Sequence, residues 1–220
     1  MPQPRLQFLS CLVVYTLLLR LLPYILMKCD VHTDPSALYY PWNFSPLTAV
    51  CLFGGAFLAD RRMAFLLPLA ILFLSDLGIL ALTGKMDWAF PAGSWGFTYF
   101  SFTSAAALGL LLRNTRPRRF PVGPLAVGLG FEAAFFAVSN FLVWFGSTSS
   151  PTPLYPGTLA GLGECYIAGL PFFGKSLLGT ATFTTLLFSP LGIRAGTDAD
   201  SERTSGELAP VRVRQRTGSR

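Results

Sequence analysis

The chain runs to 220 residues, 52% of them hydrophobic and 13% charged, with 17 Lys and Arg against 11 Asp and Glu for a net charge of +6. Soluble domains carry about 25% charged residues, so this composition excludes an ordinary soluble fold and leaves room for one membrane domain of about six spans with short loops. Most of the positive charge is arginine set between apolar runs, which argues for membrane topology and against nucleic acid as a partner.

Six apolar runs predict an all-α, polytopic membrane fold within residues 1–193: Leu6–Met27, Pro46–Ala59, Met63–Leu82, Trp95–Leu112, Pro124–Phe145 and Gly161–Phe188. The first is long enough to span and lacks the small-residue cleavage site of a signal peptide, although Arg20 interrupts it. The second opens on Asn43 or Ser45 as cap and Pro46 at the first helical position, where a missing N–H costs nothing. It holds Gly54, Gly55, Ala56 and Ala59, and closes on Asp60-Arg61-Arg62. At about 1.5 Å per residue this run covers roughly 21 Å, short of the roughly 30 Å hydrocarbon core. Short and rich in small residues, it reads as the central helix of a bundle. Pro23, Pro68 and Pro171 fall inside runs and predict kinks. The four cysteines (Cys11, Cys29, Cys51, Cys165) read as small apolar packing residues, with a Cys29–Cys165 bridge as a remote alternative. Arg194–Arg220 is rich in Gly, Ser, Thr and Arg, and is expected to be a disordered basic tail.

Arginine placement sets the expected orientation. Arg5, Arg61, Arg62, Arg113, Arg116, Arg118, Arg119 and six tail arginines lie in the N-terminus, the even connections and the tail; the odd connections carry only Lys28 and Lys85. Six spans put these groups on opposite sides, so both termini are expected in the cytoplasm. The outer connections Lys28–Ser45, Thr83–Ser94 and Gly146–Ala160 are then the longer and more aromatic ones. Trp42, Trp88 and Tyr155 in them, with Trp95 at the start of the fourth run, read first as an interfacial belt. Long loops on one face are also where binding residues collect.

Charges at membrane depth are the informative residues, because each costs about 2.5–3.5 kcal/mol on insertion scales and normally faces a partner. Arg20, Asp76, Glu132 and Lys175 qualify, with Asn140 and Glu164 nearer the outer surface. The topology places Arg20, Asp76, Asn43, Tyr99, Asn140, Glu164 and Tyr166 in the outer half, with Glu132 and Lys175 deeper. Two readings stay open. Either Arg20–Asp76 and Glu132–Lys175 are structural ion pairs that fix helix register, or the outer groups line a cavity under the long loops.

Catalytic patterns are thin. Gly169-Leu-Pro-Phe-Phe-Gly174-Lys175-Ser176 fits the phosphate-loop spelling, but its interior is Leu, Pro and two Phe inside an apolar run with no strand before it. One histidine, His32, gives a hydrolase triad or metal site little to work with. The expectation is a chain that is no enzyme and holds neither cofactor nor metal.

Asn43-Phe-Ser-Pro46, Leu52-Phe-Gly-Gly-Ala56, Leu67-Pro-Leu-Ala70, Ser75-Asp76-Leu77, Tyr155-Pro-Gly-Thr158, Cys165-Tyr166 and Pro171-Phe-Phe173 resemble an uncharacterised bacterial family of putative transport proteins. That family is itself similar to the S components, the substrate-binding subunits, of energy-coupling-factor vitamin transporters. The resemblance implies six helices in a bacterial inner membrane, a small-solute pocket near the outer face, and a coupling membrane subunit and ATPase as partners. The spacing of Gly55 and Ala59 could dock such a subunit or serve internal packing. The expected substrate-binding set is Asn43, Asp76, Tyr99, Asn140, Trp144, Tyr155, Glu164 and Tyr166. Asn140 and Trp144, four apart, share a helix face and would offer an amide beside an aromatic plate. A structural membrane protein and a stand-alone proton-coupled carrier using Glu132 or Asp76 are the rival readings.

Overall fold

A computed structural model describes residues 3–31, 43–113 and 120–194. His32 and Trp42, the arginines Arg116, Arg118 and Arg119, and the expected tail beyond Arg194 lie outside the described residues. The described chain is all-α: α1 (Leu6–Lys28), α2 (Leu47–Phe57), α3 (Arg61–Thr83), the single turn α4 (Met86–Ala89), α5 (Trp95–Leu110), α6 (Val122–Thr148) and α7 (Leu159–Leu187). One short antiparallel pairing, β1 (Gln3–Pro4) with β2 (Ile193–Arg194), joins the two described ends, and the Arg5 N–H donates to the Gly192 carbonyl at 2.8 Å beside it.

Local chemistry explains the boundaries. Asp60 caps α3 by accepting the Arg62 N–H at 2.8 Å. The same helix ends at Gly84, which sits at φ 68° and donates its N–H to the Leu80 carbonyl. Pro46 stands just before α2, and the Ser45 hydroxyl accepts the Leu47 N–H at 3.3 Å. The far end of α2 is closed from another element. Arg113 donates from Nε to the Gly55 carbonyl at 3.1 Å and from Nη2 to the Leu58 carbonyl at 3.0 Å, supplying donors to carbonyls that a helix end leaves bare.

Among the described residues three helices, α1, α3 and α6, are long and apolar enough to cross a membrane, and α2 is a shorter apolar helix. At about 1.5 Å per residue, the 23 residues of α1 and of α3 cover about 35 Å, more than the hydrocarbon core requires. The chain is a membrane protein by that measure. The fifth helix has 16 residues, and the 29-residue α7 carries Glu164 and Lys175.

The bundle is built around α2. Every residue from Leu47 to Ala56 is buried, and the helix packs against α1, α3, α5, α6 and α7. Its closest neighbour is α5, because Gly55 and Gly109 face each other. A Cβ on Gly55 would run into the Ala106 carbonyl oxygen and lie 2.8 Å from Gly109 Cα. Gly55 therefore serves the interior of this chain. Phe53, Phe57 and Phe188 close one end of the core with ring centroids 4.8–5.5 Å apart. The hairpin of α6 and α7 lies against one side of α2, and the α1–α3 pair against another. Pro23, Pro68 and Pro171 lie within α1, α3 and α7. All four cysteines are free, Cys11 and Cys29 exposed and Cys51 and Cys165 buried, so no Cys29–Cys165 bridge forms.

Candidate functional site

The polar residues expected at membrane depth fall into two separate places. The first lies between α6 and α7. Glu132, Phe135, Phe136, Ser139 and Asn140 recur at the spacing of one helix face on α6, and Gly169, Phe172, Phe173 and Ser176 do so on α7. With Asn43 they line a cavity of about 190 Å³. Along α6 it extends over eight positions, about 12 Å at 1.5 Å per residue, from Asn140 to Glu132.

Small residues shape this cavity. Gly179 lets the backbone at Phe44 and Ser45 rest on α7, since a Cβ there would lie 3.2 Å from Phe44 Cα; this holds Asn43 over the cavity. At the Asn140 end, a Cβ on Gly169 would meet Asn140 Oδ1 at 2.6 Å and Phe136 Cε2 at 2.9 Å. Phe136 and Phe173 stack across the hairpin with centroids 4.4 Å apart and an 18° interplanar angle. The Asn140 amide donates from Nδ2 to the Phe136 carbonyl at 2.9 Å.

Glu132 forms the deep end. It is 7% exposed, and its Oε1 accepts the Thr48 hydroxyl at 2.7 Å and the Thr180 hydroxyl at 2.8 Å. Three helices thus converge on one carboxylate: α2 and α7 each bring a hydroxyl to it, and α6 carries it. The hydrogen bonds that the described residues make to Glu132 come from these two neutral donors. Lys175 is half-buried on α7, next to the cavity's Ser176.

The second place lies among α1, α3 and α5. Arg20 donates from Nη2 to Asp76 Oδ1 at 2.7 Å and from Nε to the Ser75 hydroxyl at 2.6 Å. Tyr99 donates its hydroxyl to Asp76 Oδ2 at 2.7 Å. The Asp76 side chain is 4% exposed, and both of its oxygens are engaged. A cavity of about 160 Å³ opens beside this network, walled by Tyr24, Trp88, Pro91 and Trp95. Trp88 and Trp95, expected as part of a belt, stand here next to the buried charges.

The remaining expected site residues lie elsewhere. Trp144 donates its indole N–H to the Pro156 carbonyl at 2.9 Å and ties α6 to the following connection. Tyr155 is half-buried in that connection, its N–H donated to the Ser147 hydroxyl at 3.1 Å. Tyr166 donates to the Ala137 carbonyl at 2.7 Å, and its ring meets the edge of Phe136. Glu164 is exposed. Of the expected set, the structure brings Asn43 and Asn140 together with Glu132, and Asp76 with Tyr99 and Arg20. Sequence reading missed Thr48, Thr180 and Ser176, whose signal was a hydroxyl inside an apolar helix. It also missed the Phe135, Phe136, Phe172 and Phe173 walls. Trp144→Phe is expected to lower stability by about 1 kcal/mol, the size of one hydrogen bond; thermal melts of the two proteins check it.

The phosphate-loop spelling at 169–176 is continuous α-helix inside α7 and offers no loop to cradle a phosphate. Among the described residues, no cluster of three or more His, Cys, Asp or Glu side chains is placed to hold a metal ion.

The match that decides the family covers residues 1–195. The chain belongs to DUF6580, a family of unknown function. No curated protein and no solved structure matches it.

Proposed function

We propose that this DUF6580 chain is a six-span protein of a bacterial inner membrane that binds a small solute from the outer side, as the substrate-recognition part of a transporter. One observation carries the reading: a buried carboxylate, Glu132, stands at the end of a cavity whose walls are aromatic, whose opposite end carries the Asn140 amide and whose lining includes Asn43. Apolar walls with a few convergent polar groups are how small-molecule sites are generally built. The β1–β2 pairing, which puts residues 3–4 beside 193–194, supports an even number of crossings with both termini on one face. Arginine on that face makes it the cytoplasmic one. The resemblance to S components adds a coupling subunit and an ATPase as the expected partners.

The test is a thermal-shift screen of the detergent-solubilised protein against vitamins, nucleobases and other small ring compounds. A solute held at 100 times its Kd stabilises by about 2.7 kcal/mol, which for a chain of this size raises Tm by about 5 °C or more. Gly169→Val should remove that shift, because its side chain enters between Asn140 and Phe136, and Asn140→Ala should weaken it. The reading falls if nothing in the screen moves Tm, or if the shift survives Gly169→Val.

The Arg20–Ser75–Asp76–Tyr99 network favours a structural role for the second cluster, since both Asp76 oxygens are already taken. A carrier working alone on the proton gradient is distinguished by uptake that collapses with that gradient and needs no ATP.

A further inference from the structure

Resting on the solute-binding reading of the α6–α7 cavity, we propose that its occupant is a small, flat, single-ring compound bearing a cationic hydrogen-bond donor, seated with the charged end on Glu132. Glu132 is 7% exposed, and its described partners, Thr48 and Thr180, are neutral hydroxyls that both donate to Oε1. Two neutral hydrogen bonds leave a buried carboxylate undercompensated, and buried charges normally face a partner of opposite sign. Among the described residues both donors fall on Oε1 of a carboxylate that lines the cavity and can receive a further donor from its occupant.

The walls point to the same chemistry. Phe135, Phe136, Phe172 and Phe173 line the space between the carboxylate and the Asn140 amide. Aromatic faces carry negative quadrupole density, so they stack on flat rings and attract cations. The lining has one carboxylate and no Lys or Arg, a set that repels an anion and receives a cation. A volume of about 190 Å³ lies below the range of sites for drug-sized ligands, which limits the occupant to about one ring. At the other end, Asn140 and Ser139 can bond a polar substituent opposite the charge.

Benzamidinium, benzamide and benzoate test this directly, because they share one shape and differ in charge. Binding of each to the full-length protein in detergent is measured by calorimetry and thermal shift, with wild type, Glu132→Gln and Gly169→Val. Benzamidinium is expected to bind at least tenfold more tightly than benzamide, with benzoate weakest. Glu132→Gln, which keeps an oxygen for Thr48 and Thr180, should erase the preference for benzamidinium, and Gly169→Val should abolish binding. If benzamide or benzoate binds as well as benzamidinium, or if Glu132→Gln leaves the order unchanged, the cationic class is overturned while the cavity stands as a site. If none of the three binds and the wider screen finds a neutral or anionic solute blocked by Gly169→Val, the class is again overturned and the site kept. Should neither the three probes nor the screen yield binding, both readings fall. The charge order among the probes on wild type decides the matter even where Glu132→Gln does not fold.

Discussion

Gly55→Leu is expected to lower the Tm of the detergent-solubilised protein by about 10 °C, or to prevent its recovery in folded form. Inserting side-chain volume into a packed core costs about 1–3 kcal/mol and occasionally more, and about 3 kcal/mol corresponds to roughly 6–12 °C in a chain of this length. The upper end applies because the obstruction is backbone. The Ala106 carbonyl and Gly109 Cα stand where the new Cβ would go, and neither can rotate away as a side chain could. The damage would also spread, since α2 packs against five other helices and the Arg113 bond to the Gly55 carbonyl sits at the same point. Gly109→Leu should behave alike, as its own Cβ would strike the Leu52 carbonyl. Gly130→Ala is the control. It is exposed, within α6, and has open space around it, so helix propensity alone should stabilise by about 0.5–1 kcal/mol. A Gly55→Leu protein that melts within about 2 °C of wild type would show that α2 and α5 do not meet as described.

The centrality of α2 was legible before any coordinates, and for a physical reason. A helix too short for the bilayer, uncharged and dense in Gly and Ala, has little to offer lipid and much to offer neighbouring backbones. The same logic left its partner unidentified. Gly109 stands in a run with Ala105, Ala106 and Ala107, but no single sequence says which small-residue run meets which. Arg113 shows a different limit. Counted as a charge it marks a membrane face, yet its guanidinium closes the end of α2, a role set by the three-dimensional placement of two carbonyls far away in sequence.

The polar groups were legible as a list and less so as a site. Expected depth along each helix was enough to pair Arg20 with Asp76, because both were expected at one level and their helices pack together. Depth alone could not choose between two sides of α2, so one expected cluster is two in the structure. For Glu132, charge complementarity pointed at Lys175, whereas the packing of α6 and α7 on α2 delivers Thr48 and Thr180. Threonine inside a membrane helix usually donates to its own backbone, as Thr16 does to the Leu12 carbonyl and Thr185 to that of Ala181. Nothing in the sequence distinguishes those hydroxyls from the two that turn towards Glu132.

Asp76→Ala is expected to cost on the order of 3 kcal/mol, toward the lower end of what breaking a buried ion pair costs. The substitution strands two groups at once: of its described hydrogen-bond partners the Arg20 guanidinium keeps the Ser75 hydroxyl, and the Tyr99 hydroxyl loses the Asp76 acceptor. The loss stays at the lower end because the Arg20 side chain is 27% exposed and can lean toward the cavity walled by Trp88 and Trp95. The pair itself need not be strongly stabilising, since desolvating two charges offsets most of their attraction. The triple substitution Arg20→Met, Asp76→Leu, Tyr99→Phe should therefore melt close to wild type, although it removes every ionised group that Asp76→Ala disturbs. Non-additivity on that scale is the signature of residues acting as one unit. Measuring apparent Tm for the three single variants, Asp76→Ala and the triple separates the outcomes. If Asp76→Ala costs under about 1 kcal/mol, the network does not hold α1, α3 and α5 in register. If the triple is as damaged as the sum of its parts, the charges contribute more than mutual satisfaction, and the α1–α3–α5 cavity becomes the stronger candidate for a bound solute.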